Sequence, residues 1–336
     1  MRVGLLYDTA NPPDGGRDTA GLYAHELDQI ERAEGWGVDG IWFTEHHFTA
    51  DYAAAPLVWM AAAAARTRRV RLGAGILIPA LYHPVRLAED LATIDAISGG
   101  RIELGVGLGW ALEEFRVFGV DPARRAGITR DAVEVLRRAW RDETFSFAGE
   151  YFQFDGVRVR PRPVQRELKI WGGASTAAGA ARVARWGMPL LWVEPAVSQA
   201  YLDAWAAAGR PAAEAEIDGY INLFVCDDPE AAWPEVRECF LYQALRPEIK
   251  SQRAGPGGTV LARAAYTLDD VEARRLSGDI IVATPQQAVA AVRARAAGAP
   301  VTGFFCHNRI CGMSDALSDR HVELLCKEVA PALRAL

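Results

Sequence analysis

The sequence predicts an α/β fold, a (β/α)8 TIM barrel with insertions at its C-terminal face. Three observations carry that prediction. Short apolar, strand-like runs alternate with helix-like segments about eight times along the chain. The 336 residues suit one such barrel, which takes roughly 250 residues before insertions. Several of the apolar runs stop abruptly at polar or glycine-rich tips, and strand tips are where a barrel carries its chemistry.

The elements follow in order. Val3 to Tyr7 is the first strand. A Pro- and Gly-rich loop leads to a helix from Thr19 to Glu34, spaced by Leu22, Leu27 and Ile30. Gly40 to Thr44 is the second strand, and Pro56 to Thr67 an Ala-rich helix suited to close packing on a sheet. Val70 to Ile78 is the third strand; Pro84 then opens a helix to about Ile97, its ring suited to a first helical turn. Arg101 to Val106 is the fourth strand, and Thr129 to Trp140 the helix after it. Tyr151 to Val159 alternates like a small exposed hairpin. Lys169 to Trp171, Met188 to Val193 and Ile217 to Cys226 are strands five, six and seven, with helices to Trp186, from Val197 to Ala208 and from Asp228 to Leu245. Thr284-Pro285-Gln286-Gln287 is a capping box opening a helix to Ala297. Val301 to Cys306 is the eighth strand and Leu317 to Leu333 a terminal helix.

Composition excludes several classes. Hydrophobic residues make up 50% and charged residues 24%, with a net charge of -6 and the two signs mixed. No basic stripe is present to hold nucleic acid. The five cysteines (Cys226, Cys239, Cys306, Cys311 and Cys326) are odd in number and form no Cys-x-x-Cys pair, which points to free thiols in a cytoplasmic protein. The spacing of Cys306, His307 and Cys311 fits no usual zinc pattern, so no metal is expected. The N-terminal run lacks the features of a signal peptide, and the apolar run ending at Ala65 is too short to span a bilayer. No linker or short-period repeat divides the chain, so residues 1–336 read as a single domain. An irregular stretch at about 247–278, with Ser251 to Thr259 at its heart, reads as a lid, since long loops over a barrel mouth exclude water from reactive intermediates.

Three strand tips stand out. The second strand ends in Glu45-His46-His47, which folding alone does not require. Neighbouring residues on extended backbone point to opposite faces, so the two histidines do not easily share a metal. His46 then faces the mouth as acid, base or hydrogen-bond donor, or serves structure alone; the adjacent Glu45 favours function. The fourth strand ends in Gly105-Val106-Gly107-Leu108-Gly109-Trp110, which departs from the dinucleotide fingerprint and reads as clearance for a flat ligand, with Trp110 either walling it or packing. The fifth ends in Gly172-Gly173-Ala174-Ser175-Thr176 at a helix start, suited to holding an anion or to plain capping.

Four stretches resemble the bacterial luciferase-like monooxygenases: Glu45-His46-His47-Phe48-Thr49, His83 through Asp90, Ser98 through Asp121, and Ala283-Thr284-Pro285-Gln286-Gln287. The run Lys327 to Pro331 is similar too. The resemblance implies a barrel that binds reduced FMN at its C-terminal mouth, where dioxygen adds to give a peroxyflavin that oxidises an organic substrate. It implies a separate flavin reductase as partner, and a homodimer. His46 matches the active-site histidine of the family. Ala74, Gly75 and Ile76 match the site of a non-prolyl cis peptide beneath the flavin ring, and Gly172, Gly173, Ser175 and Thr176 its phosphate turn. Leu108 stands where luciferase has a phosphate-binding arginine, and Gly172-Gly173 replaces a Glu-Ser pair. The mouth candidates Ile76, Leu77, Leu108 and Trp110 suggest an apolar or aromatic small-molecule substrate. Gly107 to Trp110 with Glu113-Glu114-Phe115 is also similar to relatives that use a reduced deazaflavin for hydride transfer without oxygen. A flavin-binding protein without catalysis is the third reading.

Overall fold

Proline and hydroxyl or carboxylate caps set where the helices begin. The computed structural model describes residues 1–12, 18–49, 52, 54–245, 253–254, 260–261 and 266–335. Strand β1 (Arg2–Tyr7) leads to α1 (Thr19–Gly35), whose first turn is capped by the Asp18 carboxylate accepting from Gly21 N at 2.8 Å. Next come β2 (Gly40–Phe43) and α2 (Pro56–Arg66), then β3 (Arg71–Leu77) and α3 (Pro84–Ser98). Both helices carry proline in the first turn, where a missing N–H costs nothing. Gly99, at φ 70°, closes α3 in the left-handed region.

The strand β4 (Ile102–Val106) is followed by a short α4 (Leu112–Val117) and the long α5 (Arg125–Arg141). Then β5 (Phe145–Ala148) and β6 (Gln153–Val157) pair antiparallel as the expected hairpin, with the first strand lying before Tyr151. The wall continues through β7 (Ile170–Gly172), α6 (Ala177–Arg185), β8 (Leu190–Leu191), α7 (Pro195–Ala207) and β9 (Ile217–Asp218). The remainder comprises β10 (Leu223–Val225), α8 (Pro229–Leu245), β11 (Arg253–Ala254), β12 (Val260–Leu261), α9 (Leu268–Leu276), β13 (Ile281–Ala283), α10 (Pro285–Ala296), β14 (Gly303–His307), α11 (Asp315–Leu324) and α12 (Ala330–Arg334).

Eight parallel strands run in the order β14-β1-β2-β3-β4-β7-β8-β9. Isolated parallel bridges, Ile217 to Val301 and Tyr220 to Phe305, bring the two edges together and make a nearly closed (β/α)8 barrel. Its interior is a layer of Leu6, Trp42, Trp171, Leu191 and Phe305. Gly73 has to be glycine there: a Cβ would sit 2.4 Å from the Trp42 ring.

Three expectations change. The seventh strand, expected as one run from Ile217 to Cys226, is two pieces. Gly219 breaks it at φ 146°, and a Cβ there would lie 2.5 Å from Trp192 N. Beyond the break, β10 leaves the barrel wall and pairs with β13. The terminal helix is interrupted by a π turn at Leu325–Val329 just before Pro331, whose ring nitrogen offers no hydrogen to the helix ladder. Of the expected lid, 247–252, 255–259 and 262–265 lie outside the described residues, and its later part is not irregular: Leu268–Leu276 is α9, opened by a capping box at Thr267. The capping box is present as read: Thr284 accepts from Gln287 N while the Gln287 side chain accepts from Thr284 N. No helix among the described residues is long and apolar enough to cross a membrane.

Candidate active site

The residues singled out from the sequence lie at the tips of β2, β3, β4 and β7. Glu45, two residues beyond β2, has a side chain with 0% exposure. Its Oε2 accepts from Ile78 N at 2.5 Å, and its Oε1 accepts from Tyr82 Oη at 2.6 Å and His47 Nε2 at 2.8 Å. The carboxylate is therefore closed over by three donors and ties the tip of β2 to that of β3. Burial and the neighbouring Glu45 charge push the Tyr82 phenol far above its ordinary range, so it stays a donor.

The two histidines part company. His47 turns inward: its ring meets Glu45 and packs edge-on against Phe118 at 4.9 Å, while its backbone N–H donates to Glu114 Oε1 at 2.9 Å. His46 is half-buried, with its ring 4.3 Å from that of Tyr52. Burial raises the Glu114 carboxyl to about 7, against the pull of the His47 amide and ring.

Beside this clamp the Gly75–Ile76 peptide is cis, at the position the family resemblance indicated. Gly75 and Ile76 are half-buried at the mouth, whereas Ala74 is sealed into the wall opposite Leu104. The glycines around them have a definite steric role. A Cβ on Gly107 would lie 2.5 Å from Ile76 Cδ1, and one on Gly173 2.4 Å from Ile76 Cγ2. The clearance read from the sequence is thus occupied by Ile76 itself, held between two strand tips. Gly172 is buried, its free space filled by Val183 at 2.5 Å. Leu108 and Trp110 are half-buried above this floor.

At the tip of β7, Thr176 is the N-cap of α6, its hydroxyl accepting from Gly179 N at 3.2 Å. That leaves the Ala177 and Ala178 amides without intrahelical acceptors. The neighbouring Ser175 is exposed. Sequence reasoning passed over two half-buried arginines, Arg125 on α5 and Arg182 in the last turn of α6. Arg125, on α5, stands 5.9 Å over the Phe115 ring, which in turn abuts Gly109 at the tip of β4. Burial, then the charge of Arg182 on α6, lowers the Arg125 guanidinium; burial and Arg185 lower that of Arg182. Open helix-start amides and an exposed hydroxyl suit a phosphate-bearing group, and a half-buried apolar floor at Ile76 suits a flat one.

The profile of the luciferase-like monooxygenases matches residues 1–302. The chain belongs to that family. Among curated relatives of this luciferase-like chain, an uncharacterized protein of Mycobacterium tuberculosis is 32% identical over 197 residues, covering 54% of this chain and 66% of the relative. An F420-dependent glucose-6-phosphate dehydrogenase of Kineococcus radiotolerans is 36% identical over 141 residues, 40% of this chain and 42% of that protein. Both alignments span under two thirds of the relatives' own lengths. The crystal structure of monooxygenase RslO1 from Streptomyces bottropensis superposes with a TM-score of 0.83 at 25% identity over 99% of each chain. The proteins this luciferase-like chain is similar to thus include both a monooxygenase and an F420-dependent dehydrogenase.

Proposed function

We propose that this chain is a flavin-dependent monooxygenase that uses reduced FMN and dioxygen to oxidise an apolar or aromatic small molecule. The observation that carries the reading is the tie from Glu45 Oε2 to Ile78 N at 2.5 Å. It fixes the segment bearing His46 against the Gly75–Ile76 floor on which a flat ring would rest. Reduced FMN supplies the two electrons that, with dioxygen, place one oxygen atom on the substrate and the other in water. The chain's residues do the rest. Ile76 and Trp110 bound the ring, and Ser175 with the open α6 amides holds the phosphate, while Thr176 caps the helix that presents them. His46 offers a hydrogen bond or proton at the ring's edge. Glu45 acts as a positioning residue, because its carboxylate is spent on His47, Tyr82 and Ile78.

With reduced FMN supplied by a reductase, His46→Ala is expected to lower substrate oxidation by about 10²- to 10⁴-fold while FMN affinity changes little. Unchanged turnover would remove His46 from the mechanism. Identity to F420-dependent dehydrogenases over 141 residues favours a second reading, hydride transfer to or from a deazaflavin. Dioxygen consumption during turnover separates the two. We further expect a homodimer and a cytoplasmic setting with a separate reductase, to be checked by sedimentation and by reconstitution. The Ala-rich α2 packs Met60, Ala63 and Ala64 into the core, so its interior face is not the one offered to a second subunit.

A further inference from the structure

The tips of β2, β3, β4 and β7 serve the flavin in the proposed reaction; those of β8 and β9 bring a different chemistry to the rim. In the ring of eight strands β8 lies four steps from β2 in either direction, so its tip stands across the mouth from His46. There the chain runs Leu191-Trp192-Val193. Leu191 and Val193 are each 2% exposed, and Trp192, the largest of the three, is left half-buried between them. Gly219 then brings up its partner. This glycine breaks the strand after β9 at φ 146°, and a Cβ there would lie 2.5 Å from Trp192 N. Only glycine lets the two tips approach so closely, and the approach sets the Tyr220 ring against that of Trp192, centres 5.9 Å apart and planes tilted by 39°.

Tyr220 is held from both ends. Its hydroxyl donates to Asn222 Oδ1 at 2.5 Å, and its oxygen lies 2.9 Å from His307 Nδ1. Its ring stands 6.3 Å from Phe305, which stacks on Trp42 at 5.0 Å inside the barrel. Tyr220 and Ile76 are the two partly buried side chains packed on this inner layer, so the aromatic series rises from the core onto the same floor as Ile76. No charge intrudes from the tips themselves. Burial keeps the Tyr220 phenol far above its ordinary range, and the Glu194 carboxylate is spent on the Ala196 and Val197 amides as the cap of α7.

We propose that Trp192 and Tyr220 seat the substrate, as an aromatic corner that selects a planar aromatic ring over a saturated ring of the same size. This rests on the reading of the mouth as an active site and narrows its apolar or aromatic substrate to the aromatic class. Two tilted rings offer a third both face and edge contact, the arrangements aromatic pairs favour. The corner is also formed in advance, because packing from below and the bonds at the Tyr220 hydroxyl fix it before a ligand arrives, and little is lost in ordering it. A ring seated there has Ile76 and the flavin's place to one side and His46 facing it across the mouth.

The test is calorimetric titration of the full chain with 2-naphthol and with decahydro-2-naphthol, which share a skeleton but are flat and puckered respectively. The saturated probe is the more apolar, so water exclusion alone favours it. The expected result is the reverse, with 2-naphthol bound about tenfold tighter. Trp192→Leu should erase that preference by weakening 2-naphthol alone, and Trp192→Phe should restore most of it. Thermal melting confirms that each variant is folded; should Trp192→Leu unfold, Trp192→Met carries the test. Equal affinities in the wild type, binding of neither probe, or a folded Leu or Met variant that keeps the preference each overturns the proposal. The titrations are repeated with saturating FMN, and a preference lost there would put the probe in the flavin's place and overturn it too. Dioxygen uptake with reduced FMN is scored separately. Uptake without the aromatic preference sinks the corner and spares the monooxygenase, and the preference without uptake does the converse.

Discussion

At the scale of single residues, the mouth is built on two buried carboxylates, Glu45 and Glu114. Glu45 is accommodated by three donors. Glu114 is less well served, and burial leaves it at about 7 instead of the ordinary 4.5. The sign follows from linkage. Between those two values the folded protein binds more protons than the unfolded chain, so this group's contribution is intact below about pH 4.5 and is lost as pH rises through about 7. Glu114→Gln keeps an acceptor for the His47 amide and removes the titration. The variant is expected to match the wild type near pH 4.5 and to exceed it by about 1–3 kcal/mol at pH 8, read from urea unfolding at both values. Equal stabilities at pH 8 would show that Glu114 is solvated in the folded protein.

At the scale of elements, one helix start serves two ends through two adjacent hydroxyls. Thr176 caps α6 through Gly179 N, while Ser175 is exposed beside the open amides. The substitutions should therefore separate. Thr176→Ala is expected to cost about 1 kcal/mol of stability through the lost cap. Ser175→Ala is expected to leave the melting temperature unchanged and to weaken FMN binding severalfold, by roughly one net hydrogen bond. Fluorescence titration with FMN and with riboflavin, which lacks the phosphate, reads the difference: only the FMN affinity should fall. The glycines of β4 and β7 make the same point about division of labour. Gly107 and Gly173 yield their side-chain space to Ile76, so the flat floor is a product of two tips enclosing a third.

At the scale of the whole molecule, the two ends of the barrel do different work. Opposite the mouth, Glu103 gathers Arg2 at 2.9 Å, Arg71 at 3.0 Å and Trp171 Nε1 at 2.8 Å. Against the cost of burial, Arg2 and Arg71 hold its carboxyl below the usual range. Conservative chemistry at this end supports stability in barrels, whereas the C-terminal face supports reaction. Glu103→Ala leaves two half-buried guanidiniums without their shared partner and is expected to lower unfolding free energy by about 2 kcal/mol. Turnover per folded molecule should be unchanged, and a large fall in it would mean that the base of the barrel is coupled to the mouth.

What the sequence alone determined is local and periodic. Alternation of apolar runs and helical spacing revealed the barrel; Pro84, Gly99 and the Thr284–Gln287 box marked helix ends because caps and turns act within a few residues. The Glu45-His46-His47 tip was visible for the same reason, as polar chemistry at the end of an apolar run. Only tertiary structure decided which groups meet. Tyr82 reaches Glu45 across 37 positions, Glu114 reaches His47 across 67, and His307 reaches Tyr220 across 87. Such pairs leave no periodic signature, because closing the barrel is what brings separate strand tips to one rim. The same closure placed Ile76 in the space left by Gly107 and Gly173.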